Sequence, residues 1–133
     1  MNKIIVSGKR KTAIAKATIW EGSGIVTFNK KPLNFLSNLQ QLEISEPIVI
    51  VEDVLGKLNF NIDVNVKGGG IACQVEAGRL AIARAIVKWT KDENLKNAFL
   101  MYDRNMLIAD TRRKEACKPG DSKARSMRQT SFR

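Results

Sequence analysis

Residues 58–67 alternate without a break, with Leu58, Phe60, Ile62, Val64 and Val66 on one side and Asn59, Asn61, Asp63, Asn65 and Lys67 on the other. A period of two marks a half-buried strand with one polar face. Gly68-Gly69-Gly70 follows directly, and then an Ala- and Leu-rich stretch, 71–89. There Ile71, Val75, Gly78, Ile82, Ile86 and Trp89 follow one helical stripe, while Cys73, Leu80 and Val87 lie nearly opposite. A helix apolar on two opposing faces must be sandwiched, so a sheet has to cover one side and a further helix the other. This pair of elements restricts the chain to layered architectures that mix strands and helices.

The remaining patterns supply the other elements. An apolar run at 4–6 leads into Gly8-Lys9-Arg10-Lys11, which reads as a compact positive loop. In 12–20, Ala13, Ala15, Ala17 and Ile19 alternate with Thr12, Ile14, Lys16 and Thr18, again a strand. Gly22-Ser23-Gly24 then suits a hairpin joining 12–20 to a strand at 25–28. Leu33, Phe35, Leu36, Leu39 and Leu42 fall at helical spacing, predicting a short helix or two over 32–42. Ser45-Glu46-Pro47 reads as the start of another helix ending at Gly56, although the β-branched residues at 48–51 favour a strand by propensity. A helix over 92–102, capped by Asp92, and a short strand at 107–109 complete the expected domain. The fold class implied is α+β: a two-layer sandwich with a mixed sheet of four or five strands and helices on one face.

Charge divides the chain in two. Residues 1–110 hold 15 basic and 11 acidic groups, whereas 111–133 hold 8 and 2, so most of the net +10 sits in the last sixth. Beyond Asp110 the apolar residues are only Ala116, Cys117, Ala124, Met127 and Phe132, too few to offset the entropy of ordering the segment. The reading is one globular domain, 1–110, and an extended basic tail, 111–133. Fully extended, that tail spans about 75 Å.

Several function classes fall away on composition. With no His, and with Cys73 and Cys117 outside any CxxC pair, there is no zinc constellation, and a Ser or Cys nucleophile lacks its usual base. No metal, cofactor or catalytic residue is assigned. Adjacent carboxylates at Glu52-Asp53 and Asp92-Glu93 point in different directions on a helix and form no acid–base pair. The apolar stretches fall short of the roughly 20 residues that span a bilayer, and residues 1–7 show no signal-peptide pattern, so an unexported protein with reduced thiols is expected. The triple glycine between strand and helix admits a phosphate cradle, and a nucleotide-binding phosphotransferase-like enzyme using Gly68–Gly70 is the alternative. No Lys-Ser or Lys-Thr follows as in a P-loop, however, and close packing is the competing role. A membrane-active cationic effector would need an amphipathic apolar face that the tail lacks.

A positive field attracts polyanions, and the spacing of its sources favours RNA. The expected phosphate contacts are Lys9, Arg10, Lys11 and Lys16 near the first turn, Gly69 by its backbone, and Arg79 and Arg84 on the long helix, for which surface ion pairs are equally open. In the tail they are Arg112, Arg113, Lys114, Lys118, Lys123 and Arg125, set among small and hydroxyl residues.

Gly68-Gly69-Gly70-Ile71-Ala72-Cys73-Gln74, followed by Ala77, Ala81, Ala83, Arg84, Ala85 and Ile86, resembles the signature of the universal S-nine family of small-subunit ribosomal proteins. Gly8 with Arg10-Lys11, and later Ala13, Ala15, Gly22, Gly24 and Asn29, resemble the family's opening. Lys123-Ala124-Arg125 through Arg128-Gln129 to Ser131-Phe132-Arg133 resembles its close, and Arg112-Arg113-Lys114-Glu115 with Lys118-Pro119 is nearer the archaeal and eukaryotic-cytosolic branch. Cys73 departs from the family's usual small residue, and Asp121 and Met127 stand among positions that are often basic. The resemblance implies a non-enzymatic cytoplasmic protein in the head of the small ribosomal subunit, with the fold of the second domain of ribosomal protein S-five. Implied partners are small-subunit rRNA, neighbouring proteins of the head and peptidyl-site tRNA, the last approached by Arg128 and Arg133.

Overall fold

A computed structural model describes residues 2–120 and 123–126. Five strands form one mixed sheet in the order β1-β2-β5-β3-β4: β1 is Ile4–Arg10, β2 Ala13–Glu21, β3 Val26–Phe28, β4 Lys31–Pro32 and β5 Phe60–Lys67. Three helices, α1 Asn38–Leu55, α2 Ile71–Thr90 and α3 Glu93–Tyr102, lie on one side of it. The architecture is thus the α+β arrangement expected, with β5 at the centre of the sheet and α2 across its inner face.

The alternation in β2 and β5 decides which face is covered. Ala13, Ala15, Ala17 and Ile19 of β2 are buried, as are Phe60, Ile62, Val64 and Val66 of β5. Antiparallel register sets Ala15 opposite Val66 and Ala17 opposite Val64, so the two apolar rows make one continuous floor. Helix α2 rests on this floor with Val75, Ala77, Leu80, Ala81, Ile82, Ala83, Ala85 and Ile86 buried. Helices α1 and α3 pack against α2 and each other, contributing Ile44, Pro47, Val51, Leu95 and Phe99 to the core. The helix with two apolar sides is therefore sandwiched, although Ile71 at its first turn is 66% exposed and ends the stripe early.

Four local readings are corrected by the structure. The segment Gly22-Ser23-Gly24 does not close a hairpin, because β5 lies between β2 and β3 and pairs with both, antiparallel to β2 and parallel to β3. The glycines instead let the chain cross the start of β5: Gly22 and Gly24 donate backbone bonds to Asn59 and Phe60, while Asn61 Oδ1 accepts from the backbone of Ser23 and Ile25, each at 2.9 Å. A Cβ on Gly22 would lie 2.2 Å from the Asn61 side chain. The hairpin that does form nearby joins β3 to β4 through Asn29 and Lys30, both at positive φ as a type I′ turn demands.

Second, 32–42 and 45–56 are not separate helices. A 3-10 turn at Leu33–Phe35 precedes one helix, α1, which starts after Ser37 and runs through Pro47. The Gln40 side chain accepts from the Ser37 backbone at 3.3 Å, closing the entry turn. Pro47 deprives the Glu43 carbonyl of its donor, yet its ring is fully buried, as are Ile44 and Val51. Burial against α2 overrides both the proline and the β-branched run.

Third, no strand forms at 107–109. Asp103 caps a 3-10 turn at Arg104–Met106, the Ile108 N–H turns back to the Arg104 carbonyl, and the Leu107 carbonyl accepts from Arg84 Nε at 2.7 Å. The Leu107 carbonyl and the Ile108 N–H are thus engaged outside any strand ladder. Fourth, Gly8, Lys9 and Arg10 belong to β1, and only Lys11-Thr12 forms the turn to β2.

The closest approach of a glycine to other backbone is at Gly8, where a Cβ would lie 2.4 Å from the Ala77 carbonyl oxygen and 2.8 Å from the Ala81 nitrogen. Gly8→Ala is expected to cost about 1–3 kcal/mol by forcing α2 off the sheet. Gly70→Ala, with nothing within 4 Å of the added atom and φ −85, should stay within about 0.5 kcal/mol of the parent. Denaturant unfolding of the two variants checks this, and equal midpoints would show that the Gly8 contact does not limit the packing of α2.

Candidate nucleic-acid interface

Because the helices occupy one face of the sheet, the other is open. Strand register reads out its rows: Lys16 lies between Ser7 and Asn65, Ile14 between Lys9 and Lys67, and Thr18 between Ile5 and Asp63. At the far end the Lys3 ammonium sits 5.6 Å from the Trp20 ring centroid. Asp63, the one carboxylate in these rows, accepts from Thr27 Oγ1 at 2.8 Å and from Asn65 Nδ2 at 3.1 Å. The open face is thus predominantly cationic, with Lys3, Lys9, Lys16 and Lys67 exposed. Lys3 and Lys67 were not among the expected contacts. The polar side of the β5 alternation already carried the signal for Lys67, since it shares a face with Asn61 and Asn65.

At the β1–β2 turn this face meets the start of the tail. A groove of about 780 Å³ is lined by Lys9, Lys11, Thr12, Ile14, Arg112, Arg113 and Lys114. Five cations from segments about a hundred residues apart converge there, and no carboxylate lines the groove. The tail reaches this place because Asp110 fastens it. One Asp110 carboxylate oxygen takes Arg10 Nη1 at 2.5 Å and Arg112 Nη2 at 2.7 Å, and the other accepts the Arg112 backbone N–H at 2.8 Å. Arg113 Nη1 donates to the Asp110 carbonyl at 2.7 Å. Arg10 is itself held by Glu76 of α2. The hydrogen bond from the Arg112 side chain, then that from its backbone, and the charge of Arg10 hold the Asp110 carboxyl well below the usual carboxylate range.

The other expected contacts are distributed unevenly. Arg79 joins Glu46 of α1, at 2.5 Å, to Asp103 after α3, at 3.2 Å. Arg84 donates to the carbonyls of Leu107 and Ser7. With Arg10, these arginines direct their donors at the protein itself, tying α2 to α1, to β1 and to the start of the tail. Gly69, at φ +72, packs against Ala13, where an added Cβ would lie 3.0 Å from the Ala13 nitrogen; at Gly68 it would lie 2.7 Å from the Thr12 carbonyl oxygen. Gly68 and Gly69 are therefore covered by the β1–β2 turn, whereas Gly70 has open space beside it. Farther along the tail, Lys118 Nζ donates to the Ser126 carbonyl at 3.2 Å and Arg125 Nε to Glu115 at 2.9 Å, all on exposed residues, and Lys114 and Lys123 are exposed as well. Arg128 and Arg133 lie outside the described residues. Among the described residues there is no cluster of three or more metal-ligating side chains, and no helix is long and apolar enough to cross a membrane.

The profile of the family described as ribosomal protein S9/S16 matches residues 8–133. The chain belongs to this family. It is 42% identical to the small ribosomal subunit protein uS9 of Methanococcus vannielii and 43% identical to that of Methanococcus maripaludis, each alignment covering all of both chains. These archaeal relatives agree with the branch indicated by Arg112-Arg113-Lys114-Glu115. S9-family proteins are structural and not enzymatic, so the phosphotransferase alternative at Gly68–Gly70 is set aside.

The Asp110 fastening makes a pH-dependent expectation. A carboxyl with a lowered folded-state pKa contributes stability in full above the unfolded value of about 3.9 and loses it only as pH falls toward the folded value. NMR titration should therefore find Asp110 still ionised near pH 3.5, where unpaired carboxylates are largely protonated. In Asp110→Asn, hydrogen exchange at the Arg112 amide should speed up by about tenfold while the β5 amides keep their protection. Unchanged exchange at Arg112 would show that the tail is not fastened there.

Proposed function

We propose that this chain is a structural constituent of the head of the small ribosomal subunit, bound to rRNA phosphates through the groove at the β1–β2 turn. The observation that carries this reading is the convergence of Lys9, Lys11, Arg112, Arg113 and Lys114 on one groove free of carboxylates. A cationic groove of this kind suits the regularly spaced charges of an RNA backbone, and exposed lysines release counterions when phosphate replaces solvent. Lys16 and Lys67 extend the footprint along the open sheet, and Lys118, Lys123 and Arg125 extend it along the tail. Arg10, Arg79 and Arg84 act beneath it as positioning residues that hold the domain and the tail in register.

In this reading residues 1–110 form the anchoring domain and 111–133 the arm that leaves the groove through rRNA. The archaeal relatives named small ribosomal subunit protein uS9 support that setting, with neighbouring proteins of the head as further partners. The family's close at Ser131-Phe132-Arg133 supports an approach of Arg128 and Arg133 to peptidyl-site tRNA.

The salt dependence of affinity for small-subunit rRNA tests the phosphate contacts. Removing 111–133 should reduce the slope of log affinity against log salt by about 4, at about 0.7 per phosphate for six contacts. The quadruple change of Lys9, Lys11, Arg113 and Lys114 to Gln should reduce it by about 3, while Lys57→Gln at the far end of α1 should leave it unchanged. Equal slopes for the quadruple variant and the parent would overturn the groove as the binding site. For the arm's end, deletion of Phe132 and Arg133 should speed tRNA release from the peptidyl site while subunits still assemble, and an unchanged release rate would remove tRNA from the reading.

A further inference from the structure

Helix α1 is unlike the rest of the molecule. Its 18 residues carry four carboxylates, Glu43, Glu46, Glu52 and Asp53, and no Lys or Arg, in a chain of net charge +10. Its apolar side chains are not confined to the buried stripe of Ile44, Pro47 and Val51. On the outside, Leu39 is 67%, Leu42 66% and Val49 51% exposed. At 100° per residue, Leu42 and Val49 point almost directly away from that stripe. A helix apolar on all sides is ordinarily covered on all sides, and exposed aliphatic groups gathered on one face mark an interaction surface.

Charge decides what covers it. Glu46 is engaged by Arg79, but Glu52 and Asp53 are exposed and take part in no ion pair among the described residues. They flank the aliphatic groups on the outer surface of α1, on the side of α2 away from the sheet. RNA phosphates would be repelled by this surface and would gain nothing from Leu42 and Val49. A cationic polypeptide satisfies both features, because aliphatic groups can be buried between the two proteins while Lys or Arg side chains meet the carboxylates. We propose that the outer face of α1 docks a basic segment of another protein, so that the molecule presents RNA with its open sheet face and a protein neighbour with its opposite side. The setting, an assembled small subunit, rests on the functional reading above; the chemistry of the face does not.

The test uses this chain assembled into small subunits in cells, with the photo-crosslinking residue p-benzoylphenylalanine replacing Val49 in one strain and Lys16 in another. Irradiation of purified subunits should join position 49 to a second protein, at a peptide rich in Lys or Arg, and position 16 to rRNA. With the crosslinker at Leu39, the paired change Glu52→Lys and Asp53→Lys should lower the yield of the protein adduct at least about tenfold, since like charges then face each other. Both carboxylates are exposed, so the reversal leaves the core intact. An adduct of position 49 with RNA, an adduct with a second copy of this chain, or no adduct at all would each overturn the proposal. So would a yield at Leu39 that survives the charge reversal. Failure of position 16 alone to reach RNA would count against the functional reading and leave the α1 face standing.

Discussion

The close approach of α2 to the sheet is the contact on which the rest depends. Gly8 on β1, the alanines Ala13, Ala15 and Ala17 on β2, and Ala77, Ala81 and Ala85 on α2 are all buried, and none has a side chain larger than a methyl group. Small residues on both sides bring backbone nearly against backbone, while Phe28 fills the space over Gly78, where a Cβ would lie 2.7 Å from its ring. Packing this tight leaves little freedom to slide, so the register of α2 over the strands is defined within a fraction of a turn. Every arginine of α2 then falls at a determined place: Arg79 between Glu46 and Asp103, and Arg84 between the Ser7 and Leu107 carbonyls.

The charged interface follows from that packing. With the helices on one face, the alternation of β1, β2 and β5 leaves Lys9, Lys16 and Lys67 on the other. Glu76 of α2 orients Arg10, Arg10 helps fix Asp110, and Asp110 turns Arg112 and Arg113 toward the β1–β2 turn. Acidic residues here do not dilute a basic surface; they position it. Fixed cations in a groove suit the spaced phosphates of RNA better than the same charges on a free chain, because less side-chain entropy is lost on binding.

Much of the fold was legible in the residues because period is a local property. The alternation at 58–67, the small-and-apolar helix after the triple glycine and the Asp92 cap each depend on near neighbours, and each element is present. The start of α1 carries a readable sign too, since Ser37 with Gln40 three residues on is a capping-box pattern that the reading of Ser45-Glu46-Pro47 as a helix start left unused. The misplaced hairpin has a different origin. Glycines before a strand mark a change of direction without saying which strand becomes the neighbour, and β5 arrives between β2 and β3 from more than thirty residues away.

The sequence by itself determined that the chain has a layered core, that one helix is covered on both sides, and that positive charge concentrates after Asp110. It also carried the family signature, which is a pattern of residue types in order. Only the tertiary structure decided which cations stay available. Arg10, Arg79 and Arg84 look like ligands in a linear string and serve as internal ties, whereas Lys67 looks like the end of a strand and faces outward beside Lys9 and Lys16. The physical reason is that a cation's role depends on the carboxylates and carbonyls within about 3 Å of it. For Arg10, Arg79 and Arg84 those partners lie between 23 and 100 residues away along the chain.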